Sequence, residues 1–474
     1  MTAIEEFLER LDTLDIRLSA EGGVLRCSAP EDALTPSLRE EIQARKPALL
    51  AFLSAGPRAT LSQERLWFLD RLEGRSSHNN QAEAFLLEGD LDQNKLRSAF
   101  SQIIERHAIL RSNFEMKEGS LRIVERPAEP LDFEEMDFSA GSQTKDALLD
   151  WARALALRPF DLGRDPLVRV GLGRLGPRSH GLVVVMHHIV CDGWSTGILF
   201  GELSSLYANG SLPTLTADFA TLAHRQRSQH SGAALQALSA WWCDTLAGAP
   251  AVVALETDRP PATKRSFAGD SIEFAISIEE RRALEALARQ EGASLYMVVL
   301  ALYAMLLARH SGAEEIVIGV PIAERRDTEA ESLIGHFLNT LALRIRLDGN
   351  LTFGQLVAQV RRVWLDALDH SDLPFGHLVK ALNPERNLGH APIVQAFLNF
   401  HNAPRPALSL DGLAVSVLPG LPMWCEYLTL NFFPRRSGND AWLSAKLDFS
   451  SELFDRATAV AMAERFRVLL TSTL

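Results

Sequence analysis

The apolar positions of the first 55 residues follow two different periods. AIEEFLERLDTLD repeats its apolar residues at the spacing of an amphipathic helix. These residues are Ile4, Phe7, Leu8 and Leu11. IRLSAEGGVLRCSAP then alternates apolar and polar residues around a Gly-Gly turn, which predicts a β-hairpin. A further helix is expected after Thr35 as N-cap, with Pro36 at the first helical position. The pattern predicts a small α+β unit, helix–β-hairpin–helix, over 1–55 and a linker over 56–60.

The rest of the chain shows strand and helix signals in two successive blocks. KLRSAFSQIIERHAIL predicts an amphipathic helix, and GLVVVMHHIV predicts a buried strand that runs into a loop. A turn-rich segment follows. Beyond it, IEERRALEALARQEG and LYMVVLALYAMLLARHSG predict helices and EEIVIGVPIA predicts a strand. The sequence therefore predicts two similar α/β lobes, an N-lobe over 61–235 and a C-lobe over 236–474.

Composition narrows the classes of function. A chain of 474 residues is too long for one hydrophobic core, and 47% hydrophobic with 23% charged residues is ordinary for a folded protein. The net charge of -12 disfavours nucleic acid, because phosphate binding needs clustered Lys and Arg. The four cysteines are scattered without a CxxC pair, so the sequence indicates neither a metal site nor a disulfide framework.

The sequence also bears on location. The N-terminus carries acidic residues where a signal peptide would carry basic ones, and it lacks an apolar core. The longest apolar run, from Leu295 to Ala308, is shorter than the roughly 20 residues that cross a bilayer, so we predict a buried helix. We expect a cytoplasmic protein with neither membrane nor nucleic acid as a partner.

The segment MHHIVCDGWS, residues 186–195, carries the clearest candidate chemistry. A histidine can accept and return a proton near neutral pH, and Asp-Gly after a strand permits a tight turn that presents it. However, a histidine after an apolar strand is more often a hydrogen-bonded core residue, and Asp-Gly alone is a turn signal. Taken by itself, the segment leaves catalysis and packing both open.

Seven segments in a fixed order resolve this ambiguity. They are LSQERLWFL, RHAILRSNF, MHHIVCDGWS, ADFATLAHRQ, LIGHFLNTLALR, HSDLPFGHLV and NPERNLGHAPIVQAFLNF. Together they resemble the core motifs of the condensation domains of nonribosomal peptide synthetases, over roughly residues 60–474. The resemblance implies an α/β fold in which two lobes, each like chloramphenicol acetyltransferase, form a V around a tunnel. The 4′-phosphopantetheine arms of a donor and an acceptor carrier protein would enter from opposite faces, and this chain would bind no cofactor of its own.

The resemblance also implies roles for the residues of the histidine motif. His188 would be catalytic, either as the base or as the group that positions the attacking amine, and His187 would be structural. Asp192 would form a buried salt bridge, with Arg325 as the first choice of partner and Arg111 as the second.

Other residues near the motif receive further expectations. The backbone N–H of Gly193 would help to stabilise the tetrahedral oxyanion. The candidates for lining the tunnel are Trp194, Ser195 and Asn339. The polar side chains of Ser195 and Asn339 could instead cap local backbone. His336 and His377 are expected to be surface or packing residues.

The first 55 residues have a resemblance of their own. GGVLRCSAPEDALTPSLREEIQARKPALLAFL is similar to the N-terminal docking domain of tubulysin-type assembly lines. This implies that the C-terminal docking peptide of an upstream synthetase adds to the exposed edge of the hairpin. The basic residues in reach of an acidic peptide are Arg17, Arg26, Arg45 and Lys46, although isolated charges of this kind are equally often only solvated.

The combined expectation is an amide-forming transferase that moves a carrier-bound acyl or peptidyl donor to the amine of a carrier-bound aminoacyl acceptor. A downstream adenylation domain is expected to follow in the full-length chain. Two alternatives stay open. One is a starter condensation domain that acylates the first amino acid from acyl-CoA, and the other is a non-catalytic docking platform.

Overall fold

Three hydrophobic cores divide the structure, a computed structural model, into a small N-terminal unit and two larger lobes. The structure describes residues 3–14, 16–21, 24–30, 33–54, 56–117, 119–140, 144–229, 232–253, 255–262, 266–347, 349–384, 391–402, 406–437 and 440–474. Both lobes place helices against a mixed sheet. The predicted α/β class with two lobes and a small α+β unit is confirmed.

The N-terminal unit packs three helices on a hairpin. Its elements are α1 (Ala3–Asp12), β1 (Arg17–Glu21), β2 (Val24–Ser28), α2 (Pro36–Ala44) and α3 (Lys46–Ser54). The predicted cap is present, since Thr35 Oγ1 accepts a hydrogen bond from the backbone N–H of Leu38 at 3.3 Å. Phe7, Leu11 and Leu49 are buried together at the centre of this unit.

The N-lobe is built on a five-stranded sheet with the order β13-β3-β8-β7-β6, in which β13 (Leu413–Val417) comes from much later in the chain. Its elements up to the inter-lobe crossing are α4 (Leu61–Glu73), β3 (Asn80–Gly89), α5 (Gln93–Arg106), β4 (Ser112–Lys117), β5 (Ser120–Glu125), β6 (Phe133–Asp137), α6 (Thr144–Leu157), β7 (Val168–Gly176), β8 (Ser179–His187), α7 (Gly193–Tyr207), α8 (Phe219–Gln229) and α9 (Gly232–Thr245). β4 and β5 form a separate hairpin. Central strand β8 is buried along almost its whole length, which fits its continuous apolar run.

The C-lobe is built on a seven-stranded sheet with the order β11-β10-β12-β15-β16-β9-β14. The elements after the crossing are β9 (Ala268–Ile276), α10 (Ile278–Gln290), α11 (Leu295–Ser311), β10 (Glu315–Ala323), β11 (Leu338–Arg346), α12 (Phe353–Asp369), α13 (Phe375–Leu382), β12 (Ala396–Phe400), β13 (Leu413–Val417), β14 (Met423–Trp424), β15 (Leu428–Ser437), β16 (Asp440–Ser450) and α14 (Arg456–Thr473). Helix α11 is buried on nearly every side, as its uniform apolar sequence predicts.

The lobe boundary differs from the sequence-based division. The predicted break between residues 235 and 236 falls inside α9, whose Trp242 packs into the C-lobe core. In addition, β13 leaves the C-lobe and pairs antiparallel with β3 of the N-lobe. Local patterns could not reveal this exchange, because a strand's partner is set by long-range pairing.

The segment predicted as a linker is hydrogen-bonded to the N-lobe. Ala59 N donates to Leu121 O at 2.9 Å, and Ile123 N donates to Pro57 O at 2.8 Å. The buried Arg122 donates to Gly56 O at 3.0 Å and lies 4.5 Å from the centre of the Phe52 ring in α3. Residues 56–60 therefore continue the β4–β5 hairpin and hold the N-terminal unit against the N-lobe.

The longest apolar helices lie inside the C-lobe. Among the described residues, no single helix is long and apolar enough to span a membrane. α10 and α11 pass that test of length and composition only as a pair, and they meet at 101°.

Candidate active site

The histidine motif occupies a strand-to-helix turn of the N-lobe. β8 ends at His187, a short 3-10 turn covers His188–Val190, and α7 begins at Gly193. Asp192 is the N-cap of α7, and its carboxylate accepts a hydrogen bond from Ser195 N at 2.7 Å. The cap fixes where the helix begins and so fixes the turn that carries His188.

Asp192 has its carboxylate fully occupied by structural bonds. Arg325 of the C-lobe lies 3.0 Å from Oδ1 and 3.1 Å from Oδ2, and Phe337 N donates to Oδ2 at 3.1 Å. Burial would raise the pKa of Asp192, but Arg325 and the Ser195 hydrogen bonds outweigh it and hold that pKa below its ordinary value. Asp192 is thus an ionised anchor between the lobes with no capacity left for a substrate proton.

Ser195 extends this anchor. Its hydroxyl lies 2.7 Å from Asp192 Oδ1. The hydroxyl oxygen accepts hydrogen bonds from Gly335 N at 3.0 Å and from Arg325 at 3.1 Å. Arg325 also donates to Leu333 O at 2.7 Å and to Ala330 O. The C-lobe segment 330–337 is therefore held against the histidine turn of the N-lobe.

His188 has a defined orientation and tautomer. Its backbone N–H donates to Asn79 O at 2.8 Å, and its Nδ1 lies 2.6 Å from Cys191 O. A carbonyl oxygen can only accept, so Nδ1 carries the hydrogen and Nε2 of the neutral ring carries the lone pair. Gln81 places its side-chain amide 3.3 Å from the same Nδ1. The half-buried ring is thereby positioned to accept a proton at Nε2.

His187, the first histidine of the motif, is buried within the N-lobe. Its side chain is 1% exposed, and its Nδ1 accepts from Ile189 N at 3.1 Å. Burial, with a smaller contribution from neighbouring His188, lowers the pKa of His187 to about 3. A neutral, enclosed imidazole of this kind braces the turn.

The structure adds His336, which sequence reasoning assigned to surface or packing. Its ring is buried and meets the His188 ring edge-to-face, with centroids 4.8 Å apart at 88°. Burial lowers the pKa of His336 to about 3, so the ring is neutral at physiological pH. Its Nδ1 has no hydrogen-bond partner among the described residues. His336 lies within LIGHFLNTLALR, one of the seven ordered segments, and this position is the sequence feature that could have indicated its place beside His188.

Gly193 stands at the first position of α7. The N-terminus of a helix carries a partial positive charge, which stabilises negative charge placed near it. This placement, a few residues after His188, is compatible with the expected oxyanion contact.

Four further candidate residues make defined contacts with the protein. Arg111, the second choice as partner of Asp192, instead pairs with Glu125 and donates to Arg126 O at 3.0 Å. Trp194 donates its indole N–H to Glu331 O at 3.0 Å, in an inter-lobe contact. Ser195 and Asn339 have their polar side chains hydrogen-bonded within the protein, so a tunnel-lining role stays a prediction for them and for Trp194.

The side-chain amide of Asn339 holds neighbouring backbone groups of the C-lobe together. Its Nδ2 donates to Ser371 O and Leu373 O, both at 2.9 Å, and its Oδ1 accepts from Phe375 N and Thr340 N at the same distance. Every hydrogen-bonding position of its amide is therefore in use. This agrees with the second alternative for Asn339, in which its side chain caps backbone groups.

A cavity of about 340 Å³ lies between the two lobes next to the histidine turn. Gln81, whose amide approaches His188, and Met186, which precedes the motif, line its N-lobe wall. Strands β15 and β16 supply the C-lobe wall. Gln81 therefore connects this cavity to the His188 ring.

The basic residues predicted to bind a docking peptide lie in different settings. Arg26 is exposed on β2 and Lys46 is half-buried at the start of α3. Arg45 pairs with Glu41 at 2.9 Å and lies 4.7 Å over the Phe7 ring, so part of its charge is used within the unit. The side chain of Arg17, on β1, lies outside the described residues.

This geometry indicates an acyltransferase-type site: a half-buried histidine whose Nδ1 is hydrogen-bonded to Cys191 O, next to a buried ion pair that joins two α/β lobes. Comparison with known proteins agrees. The family model of the condensation domain matches residues 58–474, and that of the TubC N-terminal docking domain matches residues 4–54.

Individual relatives support the same assignment. Malpinin synthetase of Mortierella alpina is 36% identical over 411 residues, which are 84% of this chain and 5% of that protein. Tyrocidine synthase 3 of Brevibacillus parabrevis is 32% identical over 414 residues, 87% of this chain and 6% of that protein. The X-domain from teicoplanin biosynthesis has a TM-score of 0.79 at 26% identity, covering 88% of this chain and 94% of that one.

The chain belongs to the condensation domain family of nonribosomal peptide synthetases, and a docking domain of the TubC type precedes the condensation domain. It spans only a small part of the synthetases it matches.

Proposed function

We propose that this chain forms an amide between two carrier-bound substrates, an acyl or peptidyl donor and an aminoacyl acceptor. The observation that carries the proposal is the 2.6 Å contact between His188 Nδ1 and Cys191 O, which leaves Nε2 as the proton acceptor of a neutral ring beside the inter-lobe cavity. The donor and acceptor carrier proteins would present their substrates as thioesters on 4′-phosphopantetheine arms.

The chemistry needs one proton to be moved. The acceptor amine attacks the carbonyl carbon of the donor thioester, the C–N bond forms, and the carbonyl electrons move onto oxygen. Nε2 of His188 takes the proton that the nitrogen loses. When the carbonyl re-forms, the C–S bond breaks, and the departing thiolate takes that proton from His188. The Gly193 N–H, at the start of α7, would stabilise the transient oxyanion.

Asp192 and Arg325 have an indirect role in this proposal. Their carboxylate and guanidinium bond to each other and to the Ser195 hydroxyl, so they set the position of the histidine turn without touching the substrate. His187 has a similar bracing role.

The N-terminal unit would bind the upstream synthetase and so bring the donor substrate to the condensation domain. We propose that the C-terminal docking peptide of an upstream synthetase binds along the β1–β2 hairpin, with Arg26 and Lys46 as basic contacts. In the full-length synthetase an adenylation domain would follow the condensation domain. The four cysteines are free thiols, which fits the proposed cytoplasmic setting.

Intact-protein mass spectrometry of two carrier proteins tests the proposal. One carrier bears an acyl or aminoacyl donor, the other an aminoacyl acceptor, and the proposal predicts the condensed product on the acceptor carrier. A parallel reaction replaces the donor carrier with acyl-CoA. Product only from acyl-CoA would identify a starter domain, and no product from either donor would favour a non-catalytic platform.

A further inference from the structure

The cavity beside His188 has an unusually polar C-lobe wall. Asn431 lies on β15 and Lys446 and Asp448 lie on β16, all facing the cavity, while Glu83 of β3 lines the opposite wall. A tunnel that had only to admit a phosphopantetheine arm would not require ionised side chains at this depth, because burying charge is costly unless it is paired.

These polar side chains form one hydrogen-bonded ladder across three strands. Asn399 faces Asn431 in the register of β12 and β15, and Asn431 faces Lys446 in the register of β15 and β16. Asn399 Nδ2 donates to Asn431 Oδ1 at 2.9 Å, and Asn431 Nδ2 donates to Asp448 Oδ2 at 2.8 Å. His401 Nε2 also donates to Asn431 Oδ1, at 3.2 Å. The ladder fixes the orientation of the Asp448 carboxylate.

One oxygen of that carboxylate has the capacity for a further hydrogen bond. Asp448 Oδ1 is ion-paired with Lys446 Nζ at 3.2 Å, and the same ammonium also donates to the sulfur of Met423 at 3.2 Å. A carboxylate oxygen can accept more than one hydrogen bond, and Lys446 is the one cationic partner that the described residues give to Asp448 Oδ1. Burial raises the pKa of Asp448 despite the nearby Lys446, so an added cation would stabilise its ionised form.

The ionisable side chains of the cavity point in the same direction. Its lining includes two carboxylates, Glu83 and Asp448, and one ammonium, Lys446. A buried carboxylate oxygen that can accept a further hydrogen bond is complementary to a cationic hydrogen-bond donor. The volume of about 340 Å³ falls within the range of small-molecule pockets.

We infer that this cavity is a side-chain subsite, with Asp448 as its specificity-determining residue, for a substrate whose side chain ends in an amino or guanidino group. The inference rests on the condensation function proposed above and names the class of one of its two substrates. Lys446 limits the preference, because its ammonium competes for the same carboxylate. Gln81 links the subsite to the reacting centre, since its amide lines the cavity and lies 3.3 Å from His188 Nδ1.

Ornithine and norvaline provide a matched pair of probes, because they differ only in the terminal amino group. Each is loaded on the acceptor carrier against an alanyl donor, and then on the donor carrier against an alanyl acceptor. The ratio of kcat/KM for ornithine over norvaline is measured in both series. In one of the two series we expect the wild-type chain to favour ornithine by about tenfold or more, the discrimination typical of a hydrogen bond to a charged group.

Two substitutions should move that ratio in opposite directions. Asp448→Asn keeps the shape and an acceptor for Asn431 but removes the charge, and should lower the ratio about tenfold. Lys446→Met keeps the length of the side chain but removes the competing ammonium, and should raise the ratio. Asp270→Asn is the matched control, since Asp270 lies on β9 of the same sheet but pairs with Arg456 at 2.5 Å outside the cavity. Thermal unfolding checks that each variant is folded.

The outcomes separate this inference from the underlying function. Condensation by the wild type with equal use of ornithine and norvaline in both series overturns the subsite alone. A folded Asp448→Asn variant with an unchanged ratio, or a Lys446→Met variant whose ratio falls, overturns it as well. Absence of product with every pair overturns the condensation function and the subsite with it.

Discussion

Arg325 of the C-lobe and Asp192 of the N-lobe form an ion pair in which one guanidinium nitrogen lies 3.0 Å and 3.1 Å from the two carboxylate oxygens. The side chains are 2% and 0% exposed. Asp192 caps the helix that follows the histidine turn, and Arg325 holds the segment that carries His336. The pair therefore aligns the two lobes at the reacting centre.

Removing Arg325 should destabilise the fold strongly. Arg325→Met leaves the buried Asp192 carboxylate without its counter-charge, which typically costs about 3–5 kcal/mol. Urea denaturation measures the loss. Arg326→Met is the control, because Arg326 is 59% exposed where it pairs with Asp372, and an exposed pair contributes about 0–1 kcal/mol. Equal stability of the two variants would refute the anchoring role.

The ring of His336 should support the orientation of His188. His336→Ala removes the edge-to-face contact, and such contacts contribute about 0.5–1.5 kcal/mol, so kcat should fall up to about tenfold while KM changes little. His336→Phe keeps a ring and should retain most of the activity. His377→Ala, on α13, is the control. Full activity of a folded His336→Ala variant would show that the contact is incidental.

Stability should depend on pH through Glu324, which lies on the inter-lobe segment 324–337 between β10 and β11. Burial raises the pKa of Glu324 from 4.5 to about 7, more than nearby Arg326 lowers it. An unfolded chain would release this proton near 4.5, so the stability that Glu324 contributes is fully present below that pH. It is lost as the pH rises to about 7.

Replacing the carboxyl by an amide isolates this effect. Glu324→Gln can still accept the hydrogen bond from Gln226, so its stability advantage over the wild type should be larger at pH 8 than at pH 5. Thermal unfolding at both pH values measures it. Glu329→Gln, in the same inter-lobe segment, should show no such change. An advantage of Glu324→Gln that is independent of pH would contradict the assignment.

The contact of the linker with β5 should depend on Gly56. A Cβ at this position would lie 2.4 Å from Ile123 O, and the residue has φ +85. Gly56→Ala should therefore weaken the bonds between the linker and β5. Hydrogen exchange of the Ile123 and Ala59 amides should accelerate. Gly74→Ala is the control, because Gly74 also has positive φ but its Cβ would meet nothing within 4 Å. Unchanged exchange in Gly56→Ala would mean that the linker tolerates the clash.

The sequence predicted those parts of the site that follow from local pattern and ordered motifs. The run GLVVVMHH indicates a buried strand that ends at a histidine, and Asp-Gly indicates the turn. Arg325 could be named as a partner of Asp192 through the resemblance. Arg325 was ranked ahead of Arg111 on that basis, and the structure agrees, because Arg325 pairs with Asp192 while Arg111 pairs with Glu125.

What escaped prediction depends on contacts between distant segments. For Ser195 and Asn339 the sequence leaves tunnel lining and backbone capping both open, because it shows a polar side chain but not whether its hydrogen bonds are already used. The pairing of β13 with β3 and the contact of His336 with His188 both cross between the lobes. Neither leaves a periodic signal in the chain.

The proton-accepting role of His188 is the central claim, and single-turnover transfer between two carrier proteins tests it most directly. The wild type and His188→Ala are compared in the same reaction after circular dichroism has shown that both are folded. We predict that the variant forms product about 10²–10⁴ times more slowly, the usual contribution of a positioned acid–base group. A folded His188→Ala variant that transfers at the wild-type rate would contradict the proton-accepting role.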